Sequence, residues 1–158
     1  MKYEYAPDLQ KIAEEISRLL FPYIKIERMK CFRSYGTNSR GTIARCHTIG
    51  KLLQRAMNTE AFYALEFISE RFDKLPEEEK IKTIIHELMH IPQTFGGGFR
   101  HHDHVCEKNV NRCYRAYKEK KKELDKKDFL GLKELKWKNE DNDSLLKKMR
   151  ENVKKNFF

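Results

Sequence analysis

Between residues 8 and 20, Leu9, Ile12, Ala13, Ile16, Leu19 and Leu20 recur at spacings of three and four, which gathers them on one face of a helix. Asp8 stands where an N-cap belongs, and Pro22 ends the run. Residues 24–32 change to β-branched and aromatic positions in an extended pattern. Residues 36–41, bounded by glycines and containing Ser, Thr and Asn, predict a loop before a second strand near residues 42–47. A short helix is expected over 51–57, and the apolar run 62–68 has strand length. Then Ile81, Ile84, Ile85 and Leu88 make a helical stripe. Leu75-Pro76 and three glutamates open it, and Pro92 with Gly96, Gly97 and Gly98 closes it. The order α, β, β, α, β, α predicts an α+β fold, a small mixed sheet with helices packed over it.

The side of the last helix that faces away from its apolar stripe carries chemistry. His86, Glu87 and His90 form H-E-x-x-H, and on a helix the two imidazoles lie one turn apart, close enough to bind one divalent ion. Glu87, beside the first ligand, is placed to take a proton from a water on the metal. Residues 81–104 hold five of the six histidines and a triple glycine. Chance alone would produce the motif in about a percent of chains this long. Its phase against the stripe, and the glycines and histidines just downstream, favour a metal site over accident.

These residues resemble the small metallopeptidases of archaea and phages, a minimal zincin family. The likeness rests on Ser39-Arg40 leading into Ala44-Arg45-Cys46-His47, on the run from Glu66 through Ser69 to Asp73, on His86 through Pro92, and on Gly97-Gly98-Phe99-Arg100-His101-His102. It covers roughly residues 8–120. It implies a small zincin-like domain that includes the H-E-x-x-H helix, one zinc ion and a polypeptide substrate. It also implies a sheet-edge strand lining the cleft and pairing with extended substrate, for which residues 42–47 are the candidate. The better-known pattern H-E-x-x-H-x-x-G-x-x-H is not met, because Gly96 occupies its third-histidine position. In the family's G-G-x-R-x-H pattern the aligned third ligand is His102, with the triple glycine as a flexible turn that returns it over the helix. Spacing alone leaves His101, Asp103, His104 and Glu107 open, since carboxylates also bind zinc.

Other residues compete for roles near such a site. Arg100 can stabilise an oxyanion or hold a substrate carboxylate, or simply form a surface ion pair. His47 is a possible cleft residue, although a lone histidine is more often a surface or hydrogen-bonded one. Tyr114 and Tyr117 share a helical stripe with Cys106, Val110 and Cys113, so they read more simply as core-facing than as oxyanion donors. Cys31, Cys46, Cys106 and Cys113 form no C-x-x-C pair. They are expected to be reduced, buried and structural, and a second zinc site at Cys106 and Cys113 would need the helix to bend.

Composition narrows the picture. The 158 residues suit one domain, expected over 1–122, followed by a lysine-rich, partly helical tail over 123–158. In that tail Asp143-Ser144 can cap a last helix with Leu145, Met149 and Val153 on one side. The net charge of +9 admits a nucleic-acid partner through the tail, but acids interleave with the bases and favour a solvated arm. Abundant Lys and Glu hint at a heat-adapted source. No apolar run is long enough to span a membrane, and residues 1–8 lack the apolar core of a secretory signal. A cytoplasmic protein without membrane partners is expected. A metal-dependent nuclease acting on RNA and a non-catalytic zinc-stabilised interaction module are the alternatives from other function classes.

Overall fold

The computed structural model describes residues 1–156, with side chains described as far as residue 132. The chain groups into two units, Met1–Lys118 and Glu119–Phe158. The first unit is built on a four-stranded sheet of β1 (Lys2–Tyr5), β2 (Met29–Tyr35), β3 (Ala44–Thr48) and β4 (Tyr63–Ile68), in spatial order β1-β2-β4-β3. Pairing is antiparallel between β1 and β2, parallel between β2 and β4, and antiparallel between β4 and β3. The sheet is therefore mixed, and β3 is an edge strand. The helices are α1 (Pro7–Leu20), α2 (Lys51–Ala56), α3 (Ser69–Phe72), α4 (Glu77–Met89) and α5 (Glu107–Asn156). The α+β class read from the sequence is the class found. No helix among the described residues is long and apolar enough to cross a membrane.

One sheet face is covered by α1 and α4. From the sheet come Met29, Cys31, Tyr63, Leu65 and Phe67, and from the helices Leu9, Ala13, Ile16, Ile84, Ile85 and Leu88, all buried in one core. Each such large apolar side chain contributes about 1.5–3 kcal/mol by leaving water. The stripe that predicted α4 is thus the face that docks, with Ile81 at its partly buried margin.

Several local expectations are corrected. Asp8 does not cap α1. The N-cap is Ala6, with Pro7 in the first turn, and Asp8 instead pairs bidentately with Arg33 of β2 at 2.7 Å. The strand expected from residue 24 begins at Met29, because the chain first makes a 3-10 turn over Ile26–Arg28. Pro76 is the N-cap of α4 rather than part of its first turn. Strand β1 and the short α3 were not anticipated: all four β1 residues are exposed, so no alternating apolar face marks it in the sequence. Residues 143–144 begin no new helix, since α5 runs through them without a break, as its Lys, Glu and Leu content favours. The side chains of Leu145, Met149 and Val153 lie outside the described residues. Of the four free cysteines only Cys31 is fully buried, and the other three are half-buried.

A polar side chain completes the sheet where β1 stops short. The β1 register ends with Tyr5 opposite Phe32, leaving Met29 to Cys31 without a strand on that side. Gln10, on the α1 face otherwise given to apolar residues, fills the gap. Its amide donates to the Met29 carbonyl at 3.0 Å and accepts from the Cys31 amide at 2.8 Å, while the Ala6 amide reaches the Cys31 carbonyl at 3.0 Å. The side chain is 3% exposed, so removing it strands two buried backbone groups. We expect Gln10→Ala to cost roughly 2–4 kcal/mol in urea unfolding, with Gln10→Leu no better despite its apolar bulk.

Candidate metal centre

The last turn of α4 carries His86 on the side away from the core stripe and Glu87, buried, at the stripe's flank, and His90 is the C-cap residue just beyond it. The helix is well supported up to that point. Glu77, Glu78 and Glu79 sit at its positive end, Lys82 pairs with Glu78 one turn on at 2.7 Å, and the Thr83 hydroxyl donates to the Glu79 carbonyl. The His86 and His90 rings lie with centroids 5.0 Å apart.

Beyond α4 the chain forms a fixed loop. It turns after Pro92, passes Phe95 and Gly97 in the left-handed region, and comes back alongside the end of the helix. There the Arg100 amide donates to the His90 carbonyl at 2.8 Å, and His90 Nδ1 lies 2.7 Å from the Arg100 carbonyl oxygen. A carbonyl can only accept, so Nδ1 carries the proton and Nε2 keeps its lone pair for a metal. The same closure delivers His102, whose ring centroid lies 4.9 Å from His90 and 5.7 Å from His86.

The candidate ligand atoms of His86, His90 and His102 all lie within 4.8 Å of one another. Among the described residues the other candidates are not in this group. His101 and Asp103 are exposed, the His104 backbone is tied to Asp103 and Asn109, and Glu107 begins α5. Three imidazoles suit a zinc ion, whose Zn–N bonds of about 2.0–2.1 Å need donors within ~3.5 Å of each other and an open fourth position. The donors, up to 4.8 Å apart, would have to close toward that spacing on binding. The electrostatics fit as well. Burial, with His90 and His102 nearby, pushes His86 down to about 4, and burial also lowers His90, so both hold the neutral ring that binds metal. Glu87 is 6% exposed, and burial pushes its carboxyl up to about 7, a bias that an adjacent cation would reverse.

Two hollows meet at the cluster, one of about 470 Å³ reaching Arg45, Cys46, Phe99 and Arg100, the other of about 520 Å³ reaching Glu79, Lys82, Val105 and Glu107. Thr42, Ala44, His86 and Glu87 line both, so a single groove runs between α4 and the residues of β3 and passes over Glu87. Cys46 is on its wall, but burial and then the Glu87 charge raise its pKa, keeping it a thiol. His47 is not in this groove. It alternates to the other sheet face, where Nε2 meets Glu66 at 2.7 Å beside Tyr3 and Phe32. Tyr117 is buried and hydrogen-bonded to Glu15, and Tyr114 packs against the core margin.

The residues that hold the returning loop escaped sequence reasoning. The Tyr63 hydroxyl accepts from the Gly97 amide at 3.0 Å and donates to the Gly98 carbonyl at 2.9 Å, while the Gln54 amide donates to Ile49 and Gly96 carbonyls. In sequence Tyr63 reads as one more core aromatic of a strand. The glycines are also unequal. A Cβ at Gly97, which has φ +95°, would stand 2.2 Å from Gln54 Nε2 and 2.5 Å from the Ile49 carbonyl oxygen, whereas one at Gly98 meets nothing within 4 Å. The turn expected to be flexible is therefore pinned at its middle residue. We expect Gly97→Ala to cost roughly 2 kcal/mol or more and to weaken metal binding. Gly98→Ala should stay within about 0.5 kcal/mol of wild type. Thermal melts with and without added zinc measure both.

Compared with known protein families, residues 1–132 match the family model described as "Putative phage metallopeptidase". No curated protein and no solved structure matches the chain.

Proposed function

The chain belongs to the phage metallopeptidase family, and from that premise we propose that it is a zinc-dependent peptidase in which His86, His90 and His102 hold the ion and Glu87 is the general base. The observation that carries this reading is the convergence of three imidazoles, two of them pushed toward the neutral ring by burial, and one buried carboxylate on the floor of a groove beside a sheet edge.

When bound, the ion would supply Lewis acidity toward the peptide carbonyl and the attacking water. Glu87, adjacent in sequence to His86 but outside the three-histidine group, takes the proton of that water and hands it to the leaving amine. Its burial keeps bulk water from competing for the carboxylate. The Arg100 carbonyl fixes the His90 tautomer, so the ring nitrogen offered to the metal is set before substrate arrives. Strand β3 pairs with β4 on one side only among the described strands, leaving its other backbone edge for an extended polypeptide. Four free cysteines support a reducing, cytoplasmic setting.

Purified protein supplied with zinc should carry about one ion per chain, and His86→Ala or His90→Ala should abolish that binding. His102→Ala should lower zinc affinity far more than His101→Ala or His104→Ala. Equal losses across the three would remove His102 from the ligand set.

Glu87→Gln separates chemistry from binding, because it keeps shape and removes the basic oxygen. Cleavage of an unstructured polypeptide such as casein should fall roughly 10²–10⁴-fold while zinc content and folding hold. Loss of zinc from this variant would make the carboxylate a ligand or anchor. RNA cleavage by the wild type without polypeptide cleavage would replace the peptidase reading with a nuclease.

A further inference from the structure

Resting on the peptidase reading, we propose that the end of the groove beside Arg100 is a carboxylate subsite, where the Arg100 guanidinium receives an acidic group of the substrate. That group is either an Asp or Glu side chain or a C-terminal carboxylate, and both present the same planar anion.

The groove changes electrostatic sign as it passes the histidines. At its far end stand Glu79 and Glu107, and the one lysine there, Lys82, is held by Glu78 at 2.7 Å and Glu79 at 3.6 Å. At the near end stands Arg100, and among the described residues Glu87 is the one carboxylate on that wall. Arg45 also borders this end, but its guanidinium is 3.5 Å from Glu66 on the other sheet face, where the same carboxylate meets His47 at 2.7 Å.

Arg100 is the better-placed of the two. None of the ion pairs among the described residues includes it, although it is half-buried. Its guanidinium is close enough to the Tyr23 hydroxyl to oppose the rise that burial gives that phenol. Tyr23 itself donates to the Ile91 carbonyl at 3.1 Å, so the arginine leans on an anchored partner. The Arg100 backbone is bonded in both directions to His90, which fixes the root of the side chain relative to the candidate metal ligands. A partly desolvated guanidinium without a counter-ion among the described residues favours a bidentate carboxylate over any neutral group. Phe99, 43% exposed on the same wall, offers an apolar surface for the residue that carries the anion.

The test uses the full chain supplied with zinc and fluorogenic peptides in matched pairs, Glu against Gln at each position flanking the cleaved bond, and free against amidated C-terminus. Wild type should favour the carboxylate-bearing member of one pair by ~10- to 100-fold in kcat/KM, the range of a lost charge-assisted hydrogen bond. Which pair responds identifies the source of the anion. Arg100→Gln should collapse that ratio toward one, Arg100→Lys should keep part of it, and Arg100→Glu should turn it toward Lys-containing peptides, each with zinc content held.

Fluorescence anisotropy of the same peptides on the zinc-supplied Glu87→Gln protein gives a readout without turnover. Arg100-dependent preference for the anionic peptide in binding, with no polypeptide cleaved by wild type, would keep the subsite and overturn the peptidase reading. Equal affinity within both pairs overturns the subsite, as does a carboxylate preference that survives Arg100→Gln.

Discussion

The two hydrogen bonds between His90 and Arg100 are the constraint on which the rest of the site depends. They close the loop from His90 to Arg100, fix the tautomer of one candidate ligand and determine where the next histidines fall. Neither bond uses the Arg100 side chain. The closure holds because Gly97 alone can pass between Gln54 and the Ile49 carbonyl, and because the Tyr63 hydroxyl satisfies the loop's backbone on both sides of that pass. Side chains from β4 and α2 thus set the geometry of a centre whose candidate ligands lie elsewhere in the chain.

The same arrangement sets up the chemistry. Glu87, His86 and His90 are partly desolvated, and burial pushes the carboxyl up to about 7 while it lowers the two rings. Burial thus disfavours the charged forms of these three groups, and an adjacent cation would draw the carboxylate back toward its ionised form.

Placement at the sheet edge matters equally. Among the described strands β3 is attached to the sheet through β4 alone, and it is supported on its outer face by Glu66, which meets both Arg45 and His47. Arg71, in the short α3, donates to the carbonyls of Ser39 and Thr42 and so holds the loop that leads into β3 and rims the groove. The likeness to small metallopeptidases included both these stretches, and each has a visible structural task in shaping the wall opposite α4.

The sequence by itself determined the elements whose information is local. The stripe of Ile84, Ile85 and Leu88, the opposite-facing His86 and His90, the face of α1 and the β4 run are short-range patterns, and the helix or strand period reads them directly. The α+β class followed from their order. What needed the tertiary structure was every decision made by a distant partner. Asp8 became an ion-pair partner because Arg33 lies beside it, Gln10 was recruited by the unpaired end of β2, and His47 turned away because the register of β3 put Cys46 on the core side. β1 was silent because an exposed edge strand needs no apolar alternation. Among His101, His102, Asp103, His104 and Glu107, spacing offered no ranking. The return path through Gly97 brings His102 to the other two rings, and that path is held by backbone groups that every residue type carries, so it leaves no mark in the sequence beyond the glycine it requires.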